Sequence, residues 1–302
     1  MELWIFVTVG AALMQCVRTA MQKHLKGQLS TNGAGFVRFV YGFPFALIYL
    51  AVLVEGLGYE LPGTNARFWL FALLAGVAQI VATSLLIWVF SFRNFAVGTI
   101  YSKTEVVQTA VFGWLLFAQP LSLAGWLAIL IGGAGVMVLS LAKAGAGLRQ
   151  FLFGWTERSA LIGIASGFMF SVSALAIRES STALEGGGDA FIRAGFALAC
   201  ITVMQTLLMG AYIALREPDQ LPKVISTWRI SSLVGLTGVL GSAGWFLAMT
   251  LQKVAYVRTV GQVELVFTFI ASYFFFKERT SRAEIAGILL VVAGIVVLLN
   301  FR

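Results

Sequence analysis

The chain has 302 residues, of which 59% are hydrophobic and only 11% charged. Soluble domains carry about a quarter charged residues, so a soluble enzyme or binding domain is excluded and an integral membrane protein is indicated. The net charge of +8 does not point to nucleic acid, because the basic residues are scattered through short loops, where they read as a membrane-orientation signal.

Apolar runs of about 20 residues, enough to cross ~30 Å of hydrocarbon at ~1.5 Å per residue, recur along the whole length. In chain order they predict ten membrane-spanning helices at 3–22, 33–54, 67–91, 95–117, 123–142, 160–177, 190–215, 229–251, 254–276 and 283–301. The first has no basic leader and no small-residue cleavage pattern before Lys23, so it reads as a retained span. Cys16 and Cys200 lie inside apolar runs and form no CxxC pair, so neither a disulfide framework nor a metal site is indicated, and no cofactor is expected. The one linker with a shift in composition is 143–159, KAGAGLRQFLFGWTERS, after the fifth span. It divides the chain into 1–142 and 160–302.

The two parts repeat one another. At a shift of 155, Phe36-Val37-Arg38 lies opposite Phe191-Ile192-Arg193 and Met14 opposite Met169. From Trp69 onward a shift of 159 runs without a gap: Trp69 meets Trp228, Gly76 meets Gly235, Glu105 meets Glu264, Ser122 meets Ser281 and Gly135 meets Gly294. Five predicted spans per repeat make the second enter the membrane from the opposite side. The expected fold is therefore an all-α membrane protein of two inverted five-helix repeats, the usual construction of secondary transporters.

The stretch 104–122, TEVVQTAVFGWLLFAQPLS, and its echo 263–281, VELVFTFIASYFFFKERTS, resemble the EamA-type repeat of the drug/metabolite transporter superfamily, and the resemblance covers essentially the whole chain. The family's Glu, basic residue and Ser after the fourth helix stand here as Glu278, Arg279 and Ser281, whereas the first repeat has Gln119 and Pro120. The resemblance implies a transporter, with metabolite or amino-acid export across the bacterial inner (plasma) membrane in many members and sugar or nucleotide exchange in more distant ones.

Loops after the odd-numbered spans carry twelve basic residues: Lys23, Lys26, Arg93, Lys143, Arg149, Arg158, Arg216, Lys223, Arg229, Lys277, Arg279 and Arg282. The other side carries four: Arg67, Arg178, Lys253 and Arg302. The positive-inside rule then places both termini outside, while the resemblance implies both inside; the two agree that the termini share a side.

Five basic residues remain inside predicted spans, Arg18, Arg38, Lys103, Arg193 and Arg258, together with Glu105 and Glu264. A charge at the bilayer centre costs at least ~2.5–3.5 kcal/mol, so each should face the bundle interior or water and have a partner. Lys103 and Glu105, two apart on a continuous helix, point ~200° apart around its axis and serve different neighbours. Glu105 shares its face with Tyr101, Ser102, Gln108 and Thr109, a stripe expected to line a cavity. Arg18 stands opposite Ser173 and Lys103 opposite Gln262, so a generic repeat role does not explain these two cations. The candidate substrate-binding set is Lys103, Arg18, Gln15, Tyr101, Gln108, Gln79, Thr83, Trp88, Trp245 and Gln262, although Trp88 and Trp245 also fit interface anchoring or packing. Glu105, Glu264, Arg38, Arg193 and Arg258 read as coupling or structural; the glutamates recur as an interhelical hydrogen-bond post would, and Arg38 and Arg193 lie nearer span ends, where they can snorkel. Gly132, Gly133, Gly135, Gly287 and Gly294 are expected to let the fifth and tenth helices pack closely.

The expected function is secondary transport of a small polar metabolite by alternating access, with the excess of embedded base favouring a carboxylate or phosphate and a glutamate available for a coupling proton. Exchange of phosphorylated or nucleotide-linked metabolites, a channel and a lipid scramblase are the alternatives. An enzyme is not expected: the sole histidine, His24, sits in a loop with no cysteine or carboxylate cluster beside it. The partners are a small-molecule substrate and the lipid bilayer, and the duplication makes either a monomer or a homodimer sufficient.

Overall fold

The computed structural model of the chain describes residues 2–25, 28–89, 92, 95–144, 153, 155–186, 188–274 and 281–301. Lys26, Arg93, Arg149, Lys277, Glu278, Arg279 and Arg302, used above for orientation or the family motif, lie outside the described residues, as does most of the 143–159 linker.

The helices are α1 (Leu3–Leu25), α2 (Thr31–Val40), α3 (Gly42–Ala51), α4 (Ala66–Val89), α5 (Phe95–Ser102), α6 (Glu105–Phe117), α7 (Leu123–Ala144), α8 (Arg158–Ala183), α9 (Ala190–Arg216), α10 (Gln220–Ser226), α11 (Trp228–Leu251), α12 (Val254–Gly261), α13 (Val263–Phe274) and α14 (Arg282–Phe301). Among the described residues there is no strand, only an isolated bridge between Gly63 and Glu185. Among the described residues, eight segments are long and apolar enough to cross a membrane: Leu3–Gln22, Thr31–Gly56, Ala66–Val89, Leu123–Lys143, Arg158–Ala183, Ala190–Arg216, Trp228–Leu251 and Arg282–Phe301. Their outer faces carry exposed Leu70, Leu127, Leu207 and Leu289, as lipid contact requires. The chain is an all-α integral membrane protein.

Three of the ten expected spans are not continuous helices. The run 33–54 is interrupted at Tyr41 between α2 and α3 and ends in a π-helical turn, Val52–Gly56, while remaining one membrane-crossing segment; the runs 95–117 and 254–276 are split into α5 and α6 and into α12 and α13 and do not appear among the eight crossing segments. The reason for these two splits is local. At the first break the amides of Lys103 and Thr104 bond back only three residues, to Ile100 O and Tyr101 O. The Ser102 and Thr104 hydroxyls also donate to Thr99 O and Tyr101 O, at 2.7 and 2.6 Å. Hydroxyl groups competing for carbonyls tighten the turn and interrupt the α-helical ladder. At the second break Gln262 N bonds to Thr259 O and Leu265 N to Gln262 O, again three apart.

Helix starts follow from short polar side chains accepting free amides. Ser30 caps α2 through Gly33 N, Asp189 caps α9 through Phe191 N, and Asn65 Oδ1 accepts from Phe68 N in the first turn of α4. Ser122 and Ser281, equivalent in the repeat, cap α7 and α14 through Gly125 N and Glu284 N.

The chain divides into two compact units, each drawing on both sequence repeats: Met1–Ile80 with Ala176–Gln252, and Val81–Leu175 with Lys253–Arg302. In the first, α1 packs along α11, where Gly241 and Gly244 face Ala11, Met14 and the Val7 carbonyl. Its core gathers Leu25, Phe36, Val37, Phe39, Met209, Ile213 and Val234. Arg178, counted above as a loop charge, lies in α8 and donates to the carbonyls of Met249, Thr250 and Gln252, closing the C-terminal end of α11.

In the second unit, α7 and α14 cross on glycine. A Cβ on Gly135 would lie 2.6 Å from Val291 N and 2.7 Å from Gly287 O, and one on Gly294 would lie 2.6 Å from Gly132 N and 2.8 Å from Ala128 O. Adding 159 to 128, 132 and 135 gives 287, 291 and 294. The two contacts are thus one contact repeated with the repeats exchanged. Gly133 is not part of this seam: a Cβ there would meet only Val107, at 3.6 Å.

Candidate functional site

The embedded charges fall into two groups, one in each unit. In the Val81–Leu175 and Lys253–Arg302 unit they gather at the two helix breaks. Glu105 is the first residue of α6 and Glu264 the second of α13; Lys103 follows the end of α5, and Arg258 sits in the last turn of α12. Helix dipoles favour this order, because a helix end is negative at its C-terminus and positive at its N-terminus. Each break therefore carries a cation before it and a carboxylate after it.

The charges pair across the breaks rather than within one. Arg258 Nη2 lies 2.7 Å from Glu105 Oε1, with both side chains more than four-fifths buried. Lys103 Nζ lies 4.0 Å from Glu264 Oε1 and is 40% exposed, a looser contact. Each glutamate takes its cation from the other repeat, and Arg258 occupies the position equivalent to Thr99. Lys103 and Glu105 thus have different partners, although the continuous-helix geometry behind that expectation does not hold.

Around the breaks, Gln108 Nε2 donates to Thr104 Oγ1 at 2.7 Å, and Thr109 donates to Ser171, whose hydroxyl contacts the Glu105 carbonyl oxygen at 2.9 Å. Tyr101 is buried and packs with Ala160 and Ile164. Gln262 is only 6% exposed and lies over Gly132, where a Cβ would stand 2.7 Å from its Oε1. Among the described residues neither end of the Gln262 amide finds a hydrogen-bond partner. Thr83 is half-buried on α4. Trp88 is 54% exposed with its ring against Phe92, a placement that fits an interface anchor better than a ligand stacker.

The second group lies in the Met1–Ile80 and Ala176–Gln252 unit. Arg38 Nη2 donates to Ser242 Oγ at 3.3 Å, and no carboxylate among the described residues pairs with it. A Cβ on Gly238 would touch Arg38 Cγ at 3.4 Å and Arg18 Cδ at 3.5 Å, so both arginine stems lie over one bare stretch of α11. Trp245, buried, donates its indole N–H to Gln15 Oε1 at 3.1 Å. Gln205 Nε2 donates to Gln79 Oε1 at 2.7 Å. Arg38, Gln79, Thr202, Gln205, Gly238 and Ser242 line a small recess, with room for about one water, closed by Phe39 and Phe246. Arg193, the repeat equivalent of Arg38, sits near the start of α9 and does not line it. Thr202 and Gln205 were missed in the sequence, where a polar pair three apart on an apolar helix is their only signal.

Opposed charges at two helix breaks, and two further arginines inside apolar helices, place charge at membrane depth, where it is costly and marks functional positions more often than structural ones. The sequence matches the EamA-like transporter family over residues 2–141 and 158–300, and the chain belongs to that family, as the resemblance implied. It is 26% identical over 147 residues to an uncharacterized transporter in the cobO 3' region of Sinorhizobium sp., a match covering 45% of this chain and 96% of that protein. A protein of known crystal structure has the same fold, with a TM-score of 0.72 at 18% identity over 97% of this chain and 94% of that one.

Proposed function

We propose that the chain is a secondary carrier moving a small anionic metabolite by alternating access. In this reading it has ten spans in two inverted repeats, 1–142 and 160–302, with α5–α6 and α12–α13 each forming one broken span. The observation that carries the reading is the seam between α7 and α14, where like atoms of the two repeats exchange places under one shift of 159; a carrier that opens in turn to either side needs two halves able to trade conformations. Broken spans whose ends bear charge are the usual form of a transporter's binding helices.

Substrate class is read from the charges. Glu105 and Glu264 are matched by Arg258 and Lys103, whereas Arg38 on α2 bonds to a neutral hydroxyl, Ser242 Oγ, which favours a substrate with a carboxylate or phosphate. The transporter name of the Sinorhizobium relative supports transport; the bacterial plasma membrane as its site and export as its direction belong to the proposal. Glu264, in the looser pair, is the candidate for a coupling proton. The test is uptake into vesicles holding the purified protein: saturable uptake driven by a proton gradient is expected. Transport by Glu264→Gln that stays fully sensitive to the gradient removes the coupling role.

A further inference from the structure

Gln262, at the break between α12 and α13, is buried without using either end of its amide. Its backbone is satisfied, N–H to Thr259 O and carbonyl to Leu265 N. Its Oε1 and Nε2 have no hydrogen-bond partner among the described residues, at 6% exposure. A buried amide with both ends unmade is costly, and a methionine would fill the same space without that penalty. The amide lies in a notch that Gly132 leaves open: a Cβ there would meet Gln262 Oε1 at 2.7 Å, Cδ at 3.6 Å and Nε2 at 3.8 Å, its three nearest contacts outside its own stretch of helix. The seam between α7 and α14 does not need this glycine. A Cβ on Gly294 would lie 2.6 Å from the backbone nitrogen of Gly132, and one on Gly135 would lie 2.6 Å from that of Val291, the equivalent residue. A valine, its side chain buried, thus serves the seam as well as a glycine does, and the missing Cβ of Gly132 serves Gln262. Only one repeat has the notch: Lys103, the equivalent of Gln262, stands 40% exposed opposite Glu264.

We propose that Gln262 is a solute-binding side chain which Gly132 stores, and that the transported anion also carries a hydroxyl or carboxamide for it to hold. This rests on the carrier reading above and names the second, neutral group of the same solute. An amide gives N–H bonds at one end and takes them at the other, so its complement is a group that does both. Two residues on, Glu264 is 24% exposed, so the break borders open space that the stored amide does not reach. Turning about its own side-chain bonds carries the amide out of the notch to the solute, where both of its ends are paired. The cost of storing it unpaired is then the source of selectivity: a solute without such a group leaves the amide in its notch.

The experiment is thermal unfolding of the purified protein titrated with three pairs of anions that differ in such a group: malate against succinate, glycerol 3-phosphate against propyl phosphate, and succinamate against levulinate. Without ligand, Gln262→Met should unfold at or above the wild-type temperature, because it removes an unpaired amide. In wild type the first member of at least one pair should raise the unfolding temperature saturably, with a midpoint concentration at least fivefold below that of the second. Gln262→Met should erase this preference. Gly132→Ala, whose Cβ would stand 2.7 Å from Oε1, evicts the amide and should lower the midpoint for the preferred anion at least twofold, a gain absent when Gln262→Met is added. Unfolding of Gln262→Met below wild type would make the amide a structural post and overturn the proposal. So would equal midpoints within all three pairs, no saturable shift with any anion, or a preference that survives Gln262→Met. The preference without counterflow of any of these anions would uphold the role of Gln262 and refute the carrier reading; counterflow of an anion with equal midpoints within every pair would do the reverse.

Discussion

Replacing Gly135 with alanine isolates the crossing of α7 and α14. The added Cβ would stand 2.6 Å from Val291 N and 2.7 Å from Gly287 O, both backbone atoms that cannot rotate away. Restoring ordinary contact of about 3.5 Å needs the helices to part by nearly 1 Å, and overpacking of this kind costs roughly 1–3 kcal/mol. Alanine is also a better helix former than glycine by about 1 kcal/mol, so a net loss of up to roughly 2 kcal/mol is expected. Gly133→Ala is the control: its Cβ would find only Val107 Cγ2, at 3.6 Å, leaving the helix-propensity gain of up to about 1 kcal/mol. The assay is the fraction of purified protein that stays monodisperse after heating, compared across wild type and both variants. Gly135→Ala at or above wild-type stability, or Gly133→Ala below it, would refute the seam as drawn.

The Glu105–Arg258 pair, 2.7 Å apart and about a fifth exposed at each side chain, should lose roughly 2–3 kcal/mol when either partner alone becomes glutamine, because the other charge is left buried; the double variant should recover more than half. Additive losses in thermal unfolding would contradict that coupling. Lys103→Gln should cost no more than about 1 kcal/mol, since its contact with Glu264 is 4.0 Å long and its side chain 40% exposed. Outside the spans, Tyr59 donates to Asp189 Oδ2 at 3.1 Å, and this bond holds its hydroxyl above its usual pKa. A raised folded value means the contribution is complete below about pH 10, the unfolded value, and is lost as pH rises through the folded one. The unfolding temperature of Tyr59→Phe should therefore fall less steeply than wild type above that pH; parallel profiles would count against the bond.

Apolar run length sufficed to read eight spans, because crossing hydrocarbon demands long apolar helical segments whatever their neighbours, even where one, Thr31–Gly56, is interrupted at Tyr41. The breaks at Lys103–Thr104 and Gln262 were not legible: they depend on which hydroxyl or amide wins a backbone carbonyl, a choice hydropathy does not register. Repeat alignment exposed Glu105 and Glu264 as twins and singled out the glycines of α7 and α14, yet grouped Gly133 with them, since only three-dimensional packing tells a seam position from its neighbour. The partners Arg258 and Lys103 come from tertiary placement, and no helical spacing announces them. Arg38 read as a snorkelling charge near a span end; its place over Gly238 beside Arg18 depends on how α2 meets α11.

Counterflow tests the carrier directly. Vesicles holding the protein and loaded with a high concentration of an unlabelled anion found to bind should take up labelled anion against its gradient, overshoot, and relax, and the overshoot should disappear in Arg38→Gln. Linear, non-saturable entry without an overshoot would mark a channel and contradict alternating access.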